Sequence, residues 1–210
     1  MKMKRMCLML MSAITLGLVH AQENGYEQMK HQLNENSLPL VNLTVDTSAV
    51  NRNDYVQGVI EITDYQRRTD PAAETVRYQC KLRYRGASAS IYSKKSFAVR
   101  LYGETGEDLD ANIFGIREEN SWILDAMAID RLRMRNRVCF DVWNDMSHTP
   151  YETKYANRNG TEVVFVELFL NGDYHGLYCM SDKIDRKLLG LKKAKATADG
   201  GATIMGGGTL

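Results

Sequence analysis

Between residues 75 and 85 the chain alternates without a break: Val76, Tyr78, Cys80, Leu82 and Tyr84 fall on one side, and Arg77, Gln79, Lys81, Arg83 and Arg85 on the other. Successive side chains of a strand point to opposite faces, so a period of two with one apolar and one charged set predicts a half-buried strand of an antiparallel sheet. Residues 95–102 repeat the pattern through Phe97, Val99 and Leu101, and residues 121–128 continue it after a polar turn. Residues 38–45 and 55–63 read as earlier strands. Near the end, 162–170 and 174–180 flank Asn171-Gly172. That dipeptide is a strong hairpin signal, because both of its residues tolerate the positive φ that a two-residue turn requires.

One segment breaks the strand period. Met134, Val138, Val142 and Met146 recur every four residues, Cys139 and Trp143 widen the stripe, and Asp130 stands before it as an N-cap. This predicts a helix packed on the sheet through that stripe. A polar loop follows at 148–160, and residues 184–191 read as a short helix. The expected class is α+β: an antiparallel sheet with one packed helix.

The N-terminus is of another kind. A basic start, Met-Lys-Met-Lys-Arg, precedes an apolar run over 6–19 and a small residue at Ala21. The run is shorter than the roughly 20 residues a spanning helix needs, and the three parts together form a bacterial-type secretory signal peptide over residues 1–21. Nothing later in the sequence is apolar enough to cross a bilayer, so the mature chain is expected to be exported with no transmembrane segment, to the periplasm, the cell surface or the medium. Removing 21 of 210 residues leaves 189, ample for one domain. The signal holds three of the 27 basic residues, so 24 remain against 26 acidic ones, about −2. That balance gives no electrostatic case for nucleic acid. Residues 22–37 read as a polar leader without a core, 38–191 as the domain, and 192–210 as a glycine-rich, truncated tail. Cys80, Cys139 and Cys179 lack metal-type spacing and read first as small core residues, with one disulfide left open.

Several polar residues stand where strands meet turns. Lys95 shares a strand face with Phe97, Val99 and Leu101, so its stem can pack on the core while its ammonium reaches an anion; Lys94 and Lys95 can equally be solvated strand-end lysines. Arg85-Gly86 with Ser88 and Ser90 can form a loop whose guanidinium and backbone N–H groups meet phosphate, or an ordinary Ser/Gly turn. Arg135, beside Asn136 at the start of the helix, can face a ligand or solvent. Asp182, just past the last strand, can reach a ligand or cap the helix that follows. The histidines have no Ser or Cys partner pattern, and a nucleophilic triad has no support.

Taken in order, Arg85-Gly86 with Ser88 and Ser90, Lys94-Lys95-Ser-Phe-Ala-Val-Arg-Leu101, Trp122-Ile-Leu with Asp130 and Arg135-Asn136, and Leu168-Phe-Leu-Asn-Gly-Asp-Tyr-His-Gly-Leu-Tyr178 resemble the CotH kinase family of spore-coat-protein-H-like atypical protein kinases. The resemblance covers residues 38–191. It implies the smaller, nucleotide-clasping N-terminal lobe, with ATP and Mg or Mn as cofactors and protein Ser/Thr hydroxyls as acceptors. Lys95, Lys94, Arg85, Arg135 and Asp182 are then the nucleotide-binding candidates. In that family the metal-binding and catalytic aspartates follow in a C-terminal lobe, and no aspartate here matches them by motif, so an incomplete, inactive copy is expected. The competing reading is a non-enzymatic secreted binding or scaffold module on the same sheet.

Overall fold

A computed structural model describes residues 24–65, 75–146, 160–185, 187–188, 195–196 and 202–203. The predicted signal peptide and most of the tail lie outside them. Seven strands form: β1 (Leu40–Val45), β2 (Val56–Thr63), β3 (Val76–Arg85), β4 (Ser96–Tyr102), β5 (Ser121–Asp125), β6 (Val163–Leu170) and β7 (Asp173–Asp182). A two-residue pair, β8 (Lys195–Ala196) and β9 (Ala202–Thr203), stands apart.

The seven strands do not make the expected α+β architecture, an antiparallel sheet with one packed helix like the smaller lobe of a kinase. They close into a barrel in the order β1-β2-β3-β4-β5-β7-β6, and the seam is a parallel pairing of β1 with β6, Leu40 to Leu43 against Glu167 to Leu170. All other pairings are antiparallel. The alternation permits closure, and the β1–β6 pairing makes it. Each strand turns one apolar row inward, and rolling the sheet up buries all of those rows together while removing both exposed edges. Val41, Leu43, Ile60, Cys80, Leu82, Phe97, Val99, Leu101, Trp122, Leu124, Val166, Leu168 and Tyr178 fill the interior. At about 1.5–3 kcal/mol for each buried large apolar side chain, this row-by-row filling is the main source of stability.

The β6–β7 turn seals the seam. Asn171 and Gly172 have φ of 55° and 85°, as the hairpin signal requires. The Asn171 side chain then behaves like one more peptide group: its amide donates to the Val45 carbonyl at 3.0 Å and its Oδ1 accepts from the Val45 N–H at 2.9 Å. Buried Asn42 accepts from the Gly172 N–H at 3.0 Å and donates to Glu61 at 2.9 Å. Within the segment read as a polar leader, a short helix α1 (Gly25–Lys30) plugs one side of this turn. Its Tyr26 is buried against Leu40 and Phe169, and its hydroxyl is 2.8 Å from that of Thr63.

The second helix, α2 (Arg135–Met146), is where the sequence expectation inverts. The stripe expected to pack on the sheet faces out: Val138, Val142, Trp143 and Met146 are 48%, 49%, 57% and 78% exposed, and Cys139 is exposed with them. The helix touches the barrel through Phe140, which packs on Met127, Val163 and Cys179, and through two amides. Asn136 donates to Asp125 at 3.1 Å and Asn144 to the Thr161 carbonyl at 3.0 Å. Asp130 does not sit directly before the helix. It accepts from the N–H groups of Leu132, Met134 and Arg135, capping the turns that lead into it. Cys80 and Cys179 are buried free thiols, pushed up to about 12 by burial. Of the short helix expected at 184–191, residues 184–185 and 187–188 form a bend and a turn, and the rest lies outside the described residues.

Candidate functional site

The outer faces of β5 and β7, the end of β3 and the first turns of α2 enclose a cleft. One part, about 400 Å³, is lined by Arg85, Gly86, Ser96, Asp125, Asp130 and Arg135 among others; a second, about 170 Å³, continues past Asp125 and Asn136 to Ser181 and Asp182. Arg85, Asp125 and Asn136 line both. The first volume lies within the roughly 300–1,000 Å³ range of small-molecule sites.

Local rules place each wall. β3 ends at Gly86, whose φ of 108° an L side chain rarely adopts, and the chain turns there into a 3-10 turn at Ser88–Ile91. Arg85, the last outward residue of the alternating strand, is exposed at this corner and makes no ion pair among the described residues. The floor is a polar network around Asp125. Its Oδ1 accepts from the Ser96 hydroxyl at 3.1 Å and the Met127 N–H at 3.0 Å, and its Oδ2 accepts from Asn136; the Ser96 hydroxyl in turn receives the Ala126 N–H at 2.9 Å. Arg135 leans on Asp130 at 3.4 Å. The Arg135 N–H first, then those of Leu132 and Met134 and the Arg135 guanidinium, hold the Asp130 carboxyl below its ordinary range, against a smaller opposing effect of burial.

Of the five sequence candidates, the fold brings Arg85, Arg135 and Asp182 to the walls of this cleft. Asp182 is turned to structural use, with its Oδ2 2.5 Å from the Arg117 Nε. Lys94 and Lys95 do not line it. Lys95 donates to the Ser90 carbonyl at 2.6 Å and so ties down the turn whose Ala89 forms part of the wall; Lys95 is a positioning residue. Lys94 lies over the Tyr178 ring, 4.3 Å from its centroid, and donates to the Leu177 carbonyl at 2.5 Å. Sequence reasoning missed Asp125 and Ser96. The available signal was an acid at the end of an alternating strand on the face away from the core.

Burial, with the nearby Arg133 charge adding to it, pushes the Lys94 ammonium down from 10.5 to about 8, against Glu167 and Asp125, which act the other way. The sign of the consequence follows. Between pH 8 and 10.5 the unfolded chain holds a proton that the folded chain has released, so stability attributable to Lys94 rises with pH across that window. Because the side chain is only partly buried, the gain is discounted to about 1 kcal/mol. Urea unfolding at pH 7.5 and 10 is expected to show it in the native protein and not in Lys94→Met; an equal rise in both would contradict the assignment.

The cleft suits a polyanion. Arg85 at the end of β3 and Arg135 on α2 both supply a positive charge to its lining, and a guanidinium presents its donors in a fork matched to phosphate oxygens. It does not suit a divalent metal. Asp125 and Asp130 are already occupied by protein donors, and among the described residues no three His, Cys, Asp or Glu side chains are grouped to hold an ion. Among them, too, no helix is long and apolar enough to cross a membrane.

No curated protein matches the chain. A family model described as CotH kinase protein matches residues 82–206, a segment that runs from the middle of β3 onward and contains every candidate named above. The match spans more than half of the 210 residues, and the chain belongs to the CotH kinase protein family.

Proposed function

We propose that this chain is the nucleotide-clasping part of an exported CotH-type protein kinase, holding the phosphates of ATP between Arg85 and Arg135 for transfer to Ser or Thr hydroxyls of a protein acceptor. The observation that carries the reading is the convergence of those two arginines on one cleft in a chain of this family. In phosphoryl transfer the protein's task is positioning and neutralising charge that spreads over the phosphate oxygens. Arg85, free of a protein counter-ion among the described residues, is available for this; Arg135 exchanges Asp130 for phosphate. The Asp125, Ser96 and Asn136 network fixes the floor and the position of α2. Family membership supports use of ATP with Mg or Mn, and no role for the ion is assigned to the described residues. Export is supported by the basic and apolar pattern of residues 1–21. N-terminal sequencing of the exported protein should start at Gln22.

A secreted binding module without catalysis is the second reading, favoured by the carboxylates of the cleft, Asp125 and Asp130, being held by protein donors. Incubation with γ-labelled ATP, Mg or Mn and a serine-rich acceptor separates the two. ATP binding that weakens in Arg85→Gln/Arg135→Gln supports the nucleotide-clasping reading, and label transfer that falls with it supports a kinase; no ATP binding contradicts the proposed cleft and leaves the module.

A further inference from the structure

The outer face of β3 and β4 carries a row of cations of which the nucleotide cleft uses only the last, Arg85. Lys81, Arg83 and Arg85 project from alternate positions of β3, about 6.7 Å apart by strand geometry. Lys81 lies directly across from Arg100 on β4. Like charges directly opposite each other in a sheet destabilise it, and neither residue has a carboxylate partner among the described residues. The fold holds these charges in place. The Arg83 and Arg100 guanidiniums stand 4.7 and 5.2 Å from the centre of the same Tyr55 ring, and Arg83 donates to the carbonyls of Arg52 and Asn53. Stacking on the ring orients both guanidiniums and removes much of their rotamer freedom. Beside the row, a shallow basin of about 570 Å³ is lined by Arg52, Arg83 and Arg85, and Arg85 is also a wall of the cleft.

We infer that this face is a docking track for an extended acidic peptide that carries anionic side chains at alternate residues, running toward the cleft. An extended chain repeats its side chains on one face at the same interval of about 6.7 Å, so successive anionic side chains meet Lys81 and Arg83 in register on the way to Arg85 at the mouth of the cleft. The chain as a whole is close to neutral, with 27 basic and 26 acidic residues, so the attraction is local to this face. Bidentate pairing with oriented guanidiniums supplies selectivity, and the concentrated charge supplies the on-rate.

The test uses the full mature chain and four fluorescent probes: a peptide alternating Glu and Ser, the same composition with its Glu in one block, a peptide alternating phosphoserine and Ala, and an oligothymidylate of equal charge. The expected result at low salt is tightest binding of an alternating peptide, weakened about tenfold or more by Arg100→Glu and by Lys81→Glu, both of which should keep the native unfolding temperature. The Glu and phosphoserine arms tell which source of negative charge is preferred. Equal binding of the blocked peptide, stronger binding of the oligothymidylate, or no loss in either variant would overturn the proposal. Because neither variant touches Arg85 or Arg135, ATP binding should persist in both, and failure of the track is read separately from failure of the cleft.

Discussion

Arg117→Met is expected to cost about 3–5 kcal/mol, the largest effect of any single substitution considered. Three carboxylates converge on Arg117: Nη1 is 2.9 Å from Glu119, Nε 2.5 Å from Asp182 and Nη2 3.1 Å from Asp185, with the Lys183 carbonyl 2.9 Å from Nη2 as well. Glu119 and Asp182 are each about 1% exposed. Methionine fills much of the same space and leaves Asp182 and Glu119 buried together with only the partly exposed Lys187, 3.5 Å from Glu119, as a counter-ion, which is why the loss exceeds that of an exposed pair. The cluster clamps the end of β7 to the segment that leads into β5, where the Trp122 indole N–H also reaches the Glu119 carbonyl at 2.9 Å. Acid provides an internal control. Asp185 is held below its ordinary range: burial works against this, while the Leu188 N–H and Arg117 outweigh it. A depressed carboxylate contributes stability above its unfolded pKa, about 3.9, and loses that contribution as pH falls through its folded value. The difference between native and Arg117→Met unfolding should therefore hold from pH 7 down to about 4 and narrow as pH falls further. A difference that is constant with pH would mean that lost packing, not stranded charge, accounts for the cost.

Gly172→Val should cost about 3 kcal/mol, a shift of about 6–12 °C in the unfolding midpoint for a chain of this size. Two causes add. A β-branched residue at a φ of 85° costs about 1–3 kcal/mol. A Cβ at this position would also lie 2.6 Å from the Asn24 side chain, which accepts the Glu27 N–H and caps α1. Displacing a cap costs about 1 kcal/mol more. Gly172→Ala keeps the φ strain and the contact with Asn24 and relieves only the branching, so it should fall between the two. A midpoint within a degree of native for the valine variant would show that the turn does not hold the seam.

The strands were legible because alternation is a local property. Residues 75–85 were read almost to the boundary of β3, and the positive φ at Asn171 and Gly172 follows from their side chains alone. Closure was not legible. It rests on β1 pairing in parallel with β6, residues such as Leu40 and Glu167 that are far apart in the chain, and an alternating strand reads the same in an open sheet as in a barrel. The helix failed for a related reason. A period of four says that Val138, Val142 and Met146 share a face, and it does not say what covers that face; the contact with the barrel is made by the Phe140 ring, by Arg137 over the Phe165 ring and by two amides, of which only Phe140 carries an apolar signal. At the cleft, Arg85 could be picked out because a strand ends there at a glycine. Lys94 and Lys95 stand at an equally suggestive strand end, but their ammonium groups turn to the carbonyls of Leu177 and Ser90, and nothing in the sequence specifies which way a flexible lysine turns.

The affinity of the mature chain for ATP, measured by titration in the native protein and in Arg85→Gln/Arg135→Gln, tests the proposed cleft most directly. Both arginines are exposed and neither packs in the core, so the double variant should unfold at the native temperature. Losing two guanidinium contacts to phosphate is expected to weaken binding about a hundredfold, at about 1.4 kcal/mol for each tenfold. Affinity unchanged in the double variant, or lost equally when Lys94 alone is replaced, would place the phosphates elsewhere and contradict the assignment.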